Sequence, residues 1–200
     1  MSLRRALLQN GAVARIALFG GSFNPPHVGH VMVASWILAT DRADEVWLMP
    51  AAHHAFAKSL APFEARVAML RAGFAALGKF VSVSEIENER AGASFTIDTV
   101  EILRARFTAH RFSIVVGTDV LVDSPKWKEW DRLLTLVELL PVRRAGCPGS
   151  EPDPAPANPT PLFPDVSSTL VRERLARGET VEGLVPAGAL AEIRARSLYR

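Results

Sequence analysis

Arg15-Ile-Ala-Leu-Phe-Gly-Gly-Ser-Phe-Asn-Pro-Pro-His-Val-Gly-His30 joins a short apolar run to a helix-compatible stretch through a loop rich in glycine and proline. The run before the loop suits a buried strand, and the residues from about 28 to 40 place apolar side chains at helical spacing. Strand, glycine-bearing loop and helix, in that order, are the first half of a parallel β-α-β unit. The alternation continues down the chain. Strands are expected near 15–20, 45–49, 80–86, 111–117 and 136–142, and helical stretches near 28–40, 62–77, 95–109 and, broken by Pro125, 118–134. The fold class is therefore α/β, an open doubly wound parallel sheet. Ser167-Ser-Thr is expected to cap a C-terminal helix running to about Ala176, with Gly178 as its stop, and a last helix is expected near Ala187–Ser197. Residues 1–200 read as a single domain. Within it, residues 145–164 carry seven prolines, at 148, 152, 154, 156, 159, 161 and 164, and read as a loop or semi-rigid spacer.

Composition narrows the function classes. With 200 residues and 48% hydrophobic content the chain can bury a sizeable core, which excludes disorder as the main state. The longest apolar runs are far short of the roughly 20 residues that span a bilayer, and no signal-type apolar stretch follows Met1-Ser-Leu-Arg-Arg, so a cytoplasmic protein with no membrane partner is expected. The single cysteine, Cys147, offers neither an internal disulfide nor a zinc set. A net charge of +2 and a pI near 9.0 come from dispersed Arg and Lys, which gives no polycationic face for nucleic acid.

In open α/β sheets ligands collect beyond the carboxyl ends of the strands, so the loops leaving strands carry the chemistry. Gly20 and Gly21 there permit a tight turn and close approach of a ligand, while the helix that follows presents unpaired N–H groups and a positive dipole end to an anion. His27 and His30, three residues apart, fall on about one face of the first turn, and Gly29 between them removes a side chain that would obstruct access. A plain turn with structural histidines, or a partial metal site, is the alternative; no Glu between the histidines and no nearby third ligand supports the latter. No metal-ligating set is read from the sequence. The loop is neither a P-loop nor the GxGxxG dinucleotide pattern, so it is a phosphate cradle of another kind.

Gly20-Gly-Ser-Phe-Asn-Pro-Pro-His-Val-Gly-His30 resembles the GGxFxPxHxGH signature of the nucleotidyltransferase superfamily, and Val166-Ser-Ser-Thr-Leu-Val-Arg172 resembles that superfamily's ISSTxxR motif. Ser94-Phe-Thr-Ile-Asp-Thr99, Val116-Gly-Thr-Asp-Val-Leu121 with Trp127, and the ending Leu184-Val-Pro…Leu198-Tyr199 are similar to the nicotinate or nicotinamide mononucleotide adenylyltransferases. The resemblance spans nearly the whole chain. It implies a Rossmann-like nucleotidyltransferase fold and an enzyme of NAD biosynthesis that joins ATP to nicotinate mononucleotide, releasing pyrophosphate. It implies ATP contacts at Gly20, Gly21, Ser22, Phe23, His27, His30, Gly117, Asp119, Ser168, Thr169 and Arg172, with His27, His30 and Arg172 catalytic. It implies acceptor contacts at Asn24, His54, Lys58, Thr96 and Trp127, with Trp130 as a rival for the ring-stacking role, and Mg²⁺ brought by ATP. His53 belongs to the same loop as His54 and Lys58. Asn24 stands where the commonest form of the motif has Asp. Nicotinamide mononucleotide, phosphopantetheine, or a non-catalytic nucleotide-binding module are the other readings, and a homo-oligomer is left open.

Overall fold

The computed structural model describes residues 13–52, 60–89, 95–121, 124–147 and 161–200. Six strands form one parallel sheet: β1 (Arg15–Gly21), β2 (Glu45–Pro50), β3 (Val81–Val83), β4 (Arg111–Gly117), β5 (Glu138–Arg144) and β6 (Leu162–Phe163), in the order β3-β2-β1-β4-β5-β6. Helices α1 (Val28–Ala39), α2 (Phe63–Gly73), α3 (Thr96–Arg106), α4 (Thr118–Leu121), α5 (Trp130–Leu136), α6 (Ser168–Ala176) and α7 (Ala187–Ala195) surround it.

β1 is buried on both faces because its side chains alternate between two cores. Ala17 and Phe19 join Val33, Ala34, Ile37 and Leu38 of α1 and Leu70 of α2. Ile16 and Leu18 join Ile97, Val100 and Leu103 of α3 and Leu133 of α5. Helices therefore cover both faces, as the alternating pattern predicts. At the entry to β1 the Asp44 carboxylate, fully buried, takes both the Arg15 amide (2.7 Å) and its guanidinium (2.9 Å), tying β1 to the start of β2.

Several boundaries differ from the sequence expectation. The helix expected over 62–77 ends at Gly73 and continues as a 3₁₀ turn, Ala75–Phe80, in which Gly78 takes φ +56°. β3 is short, and Ile86–Glu89 is a 3₁₀ turn. Between β4 and β5 the broken helix is three pieces, α4, a 3₁₀ turn Ser124–Lys126, and α5, whose N-cap Glu129 is left-handed. β5 lies two residues later than expected, which brings Arg144 onto the strand. The proline-rich stretch also ends in structure: Leu162 and Phe163, between Pro161 and Pro164, pair with Arg143 and Arg144, and the Phe163 ring packs edge-on against Trp36 at 6.1 Å. Residues 148–160 lie outside the described residues.

The C-terminal helices have their own apolar cluster, Val171, Val181, Val185, Leu190 and Ile193, closed by Met69 of α2. α7 meets α2 backbone to backbone: a Cβ on Gly188 would run into the Ala72 carbonyl oxygen. Overpacking of this kind costs about 1–3 kcal/mol. Gly188→Ala is accordingly expected to lower unfolding free energy by about that amount in urea titration, and unchanged stability would mean that the helices separate without strain.

Candidate active site

The strand order reverses between β1 and β4, and there the carboxyl ends of adjacent strands open a crevice. A cavity of about 150 Å³ occupies it, lined by His27 and His30 from the loop and helix after β1, Gly117 and Asp119 after β4, and Arg144 and Phe163 from β5 and β6.

The two glycines do not make the turn. Gly20 and Gly21 are the last residues of β1, and the left-handed position is Phe23, at φ 45°. Phe23 holds that unfavourable conformation because its ring is fully buried, edge-on to Phe19 (5.7 Å) and to the His30 imidazole (4.9 Å). Gly21 makes room for it, since a Cβ there would lie 3.2 Å from the Phe23 ring. A Cβ on Gly20 would meet no described atom within 4 Å, so the strand end borders open space.

The imidazoles of His27 and His30 stack with centroids 3.7 Å apart and planes 30° off parallel. His27 is the N-cap of α1, and its backbone N–H donates to His30 Nδ1 at 3.1 Å. That acceptor role puts the proton of a neutral His30 on Nε2. The His27 ring lies over Gly29, where a Cβ would come within 3.0 Å of Nδ1, so Gly29 seats the ring as well as clearing the approach. His27 Nδ1 is buried without a hydrogen-bond partner. Burial, and secondarily the positive charge of Arg144, push His27 down to about 4. Burial, then His27 and Arg144, hold His30 well below the ordinary histidine range. Both rings are thus neutral at pH 7 in the ligand-free protein. One of the helix-start N–H groups expected to face an anion is already committed: Val28 donates to the Leu184 carbonyl at 2.9 Å.

The second motif arrives from the far end of the chain. Ser167 caps α6 by accepting from the Leu170 N–H at 3.1 Å. Ser168 Oγ donates to the Pro25 carbonyl (2.8 Å), and Arg172 Nη1 donates to the Asn24 carbonyl (2.8 Å) while Nη2 donates to Thr169 Oγ1 (3.1 Å). The start of α6 is therefore fastened to the loop that carries His27. Asn24 itself is buried, and its Oδ1 accepts from the Ala61 N–H (3.0 Å) and the Tyr199 hydroxyl (2.7 Å). Burial raises the Tyr199 pKa, against the opposing pull of Arg172 and Arg66, so the hydroxyl remains a donor.

Arg144 and Arg66 were not singled out as site residues by the sequence. Arg144 pairs with the Asp119 carboxylate, which folds back over Gly117; a Cβ on Gly117 would run into Asp119 Oδ1. Its signal was its place at the carboxyl end of β5, obscured by the two-residue offset in that strand. Arg66, placed in a core stripe, is indeed buried, but its guanidinium reaches the carbonyls of Ala61, Ser22 and Ala51.

Of the expected site residues, His27, His30, Gly117 and Asp119 line this cavity, whereas Gly20, Gly21, Ser22, Phe23, Ser168, Thr169, Arg172, Thr96 and Trp127 do not. Thr96 opens α3, and Trp127 packs with Trp130 edge-on at 5.7 Å against the core on that face of the sheet. The two segments adjoin: Lys128 bonds Asp98 at 2.8 Å and lies over the Phe95 ring. His53, His54 and Lys58 lie outside the described residues, as does Ser94. Among the described residues, no group of three His, Cys, Asp or Glu side chains could hold a metal ion, and no helix is long and apolar enough to cross a membrane.

The doubly wound sheet carries a histidine pair after β1 with the Ser/Thr/Arg start of α6 docked to the same loop, and residues 18–174 match the cytidylyltransferase-like family model. A protein described as a probable nicotinate-nucleotide adenylyltransferase from Myxococcus xanthus is 46% identical over 92% of this chain and 94% of its own. One of the same description from Anaeromyxobacter dehalogenans is 48% identical over 92% and 96%. The chain belongs to the cytidylyltransferase-like family and, within it, to the nicotinate-nucleotide adenylyltransferases. The Plasmodium falciparum nicotinic acid mononucleotide adenylyltransferase complexed with NaAD shares the fold, with a TM-score of 0.74 at 19% identity over 92% of this chain and 97% of that one.

The neutral histidines tie stability to pH. An unfolded chain binds protons at His27 near pH 6.5, whereas the folded one binds them only near 4, so stability is full above 6.5 and is lost as pH falls towards 4. The shift from 6.5 to about 4 corresponds to a loss on the order of 3 kcal/mol at His27. Urea unfolding at pH 7 and pH 4.5 should show this decline in ligand-free protein, and His27→Gln should reduce it while His30 keeps its own contribution; an equal decline in both proteins would place the proton-linked loss elsewhere.

Proposed function

We propose that the protein joins ATP and nicotinate mononucleotide into nicotinate adenine dinucleotide and pyrophosphate. The observation that carries this reading is the His27/His30 pair and Asp119 lining one switch-point crevice, with the start of α6 bonded to the Pro25 and Asn24 carbonyls of the loop that carries His27. An oxygen of the acceptor's 5′-phosphate attacks the α-phosphorus of ATP in line, and the bond from that phosphorus to the bridging oxygen of pyrophosphate breaks. The acceptor is already an anion, so no side-chain nucleophile or base is required, and the protein's work is positioning and charge stabilisation.

His30 donates from Nε2 and His27 from its ring N–H to the α- and neighbouring phosphates. Arg172, Ser168 and Thr169 take the outer phosphates. Gly20, Gly21, Ser22 and Phe23 border the nucleotide, and Gly117 and Asp119, the latter oriented by Arg144, hold the adenosine. Thr96 and Trp127 receive the pyridine ring, with Asn24, His54 and Lys58 on the acceptor's side. Mg²⁺ fits as a companion of ATP: the described crevice offers one carboxylate, Asp119, already paired with Arg144, so phosphate oxygens and water would hold the ion and it would neutralise charge on the leaving pyrophosphate. A cytoplasmic site of action accords with these substrates.

Pyrophosphate release from Mg·ATP with nicotinate mononucleotide, nicotinamide mononucleotide and phosphopantetheine tests the reading. Release should be fastest with the nicotinate acceptor. Release confined to phosphopantetheine would move the protein to another acceptor, and ATP binding without release would leave a binding module. His30→Ala should lower turnover by ~10²–10³, the loss expected for a preorganised donor, and wild-type turnover would remove His30 from the mechanism. Trp127→Ala should raise the KM for the mononucleotide with the KM for ATP unchanged; equal rises would assign the tryptophan to folding.

A further inference from the structure

Arg66 is 1% exposed, among the largest fully buried side chains in the molecule. Its guanidinium donates through Nη1 to Ser22 O (2.9 Å), through Nη2 to Ala51 O (2.8 Å) and through Nε to Ala61 O (3.1 Å). These carbonyls belong to three separate pieces of chain: the loop leaving β1, the residue after β2, and the entry to α2. The Phe63 ring lies 5.3 Å from the guanidinium carbon. No carboxylate among the described residues forms an ion pair with it; Glu87 and Tyr199 act on it only through space.

The hydrogen bonds of this group are satisfied, but its charge is opposed only through space, by Glu87 and Tyr199, with no contacting counter-ion among the described residues. Three carbonyl dipoles stabilise a buried guanidinium without neutralising it, and a buried charge without a counter-ion is costly. If bracing the loops were the whole task, neutral donors would meet it at lower cost. A full positive charge held rigidly below the carboxyl ends of β1 and β2 instead favours an anion arriving there. Arg144, by contrast, lines the crevice with Asp119 on the β4–β5 side of the switch point, whereas Arg66 sits beneath the loops after β1 and β2 and does not line it.

We propose that Arg66 is a positioning residue for the phosphate of the adenylyl acceptor. It fixes the loops after β1 and β2 relative to each other, and its buried charge attracts the acceptor's phosphate to that side. This rests on the acceptor being a phosphorylated mononucleotide, as under the proposed function. A second brace works in parallel, in which Asn24 Oδ1 holds the Ala61 N–H and the Tyr199 hydroxyl, so the loop geometry has support besides Arg66.

The test is steady-state kinetics of Arg66→Gln and Arg66→Lys with ATP and nicotinate mononucleotide varied separately, folding being checked by circular dichroism. Arg66→Gln removes the charge and should raise the KM for the mononucleotide about tenfold or more, with the KM for ATP within about twofold of wild type. Arg66→Lys keeps the charge but loses the fork that reaches three carbonyls; its mononucleotide KM should stay within about threefold of wild type while kcat falls about tenfold. Should Arg66→Gln not fold, Arg66→Lys decides alone. Lysine kinetics equal to wild type, or both KM values rising together in either variant, would overturn the proposal. Absence of pyrophosphate release from the wild-type protein with any pyridine mononucleotide would overturn the proposed function instead.

Discussion

Two hydrogen bonds to main-chain carbonyls, Ser168 to Pro25 and Arg172 to Asn24, join segments more than 140 residues apart and fasten the start of α6 to the loop that leads into His27. On one side of that junction are Phe23 and the stacked histidines; on the other is the capped start of α6. Because the acceptors are backbone oxygens, the junction constrains the path of the loop itself. The same contact that holds Arg172 against the loop ties down Asn24, three residues before His27.

The loop is held from below as well as from the side. Phe23 is kept left-handed by the packing of its ring, Gly21 by its missing side chain admits that ring, and Arg66 grips the Ser22 carbonyl. Burial then keeps both imidazoles neutral, so the positive charge of the site comes from arginines placed on different strands and helices. The polar groups around the crevice are thus oriented by packing and by each other in the ligand-free protein.

Most of the fold was legible because apolar alternation and helical spacing are strong along β1, β2 and β4 and along α1 and α3, and because Ser167 and Gly178 are unambiguous helix punctuation. β6 was not legible: two residues between prolines have no periodicity to read, and they are a strand only because Arg143 and Arg144 offer them partners. That His27, Gly29 and His30 would face the crevice was legible from their spacing after β1. Their tertiary roles were not, since nothing local reveals that Val28 is capped by Leu184 or that Ser168 reaches Pro25. Arg144 and Arg66 were missed for a related reason. Their importance comes from where a strand ends and which carbonyls face a buried side chain, and both are properties of the folded sheet.

The claim that the two ends of the chain form one site is tested most directly by the affinity of Arg172→Met for ATP, measured by calorimetry on protein shown to be folded. The account predicts that ATP binding weakens by about tenfold or more, the scale of a lost charge-assisted contact with phosphate, and that pyrophosphate release falls with it. ATP affinity and turnover equal to wild type would contradict it, leaving α6 as a support for the loop and the phosphates with other partners.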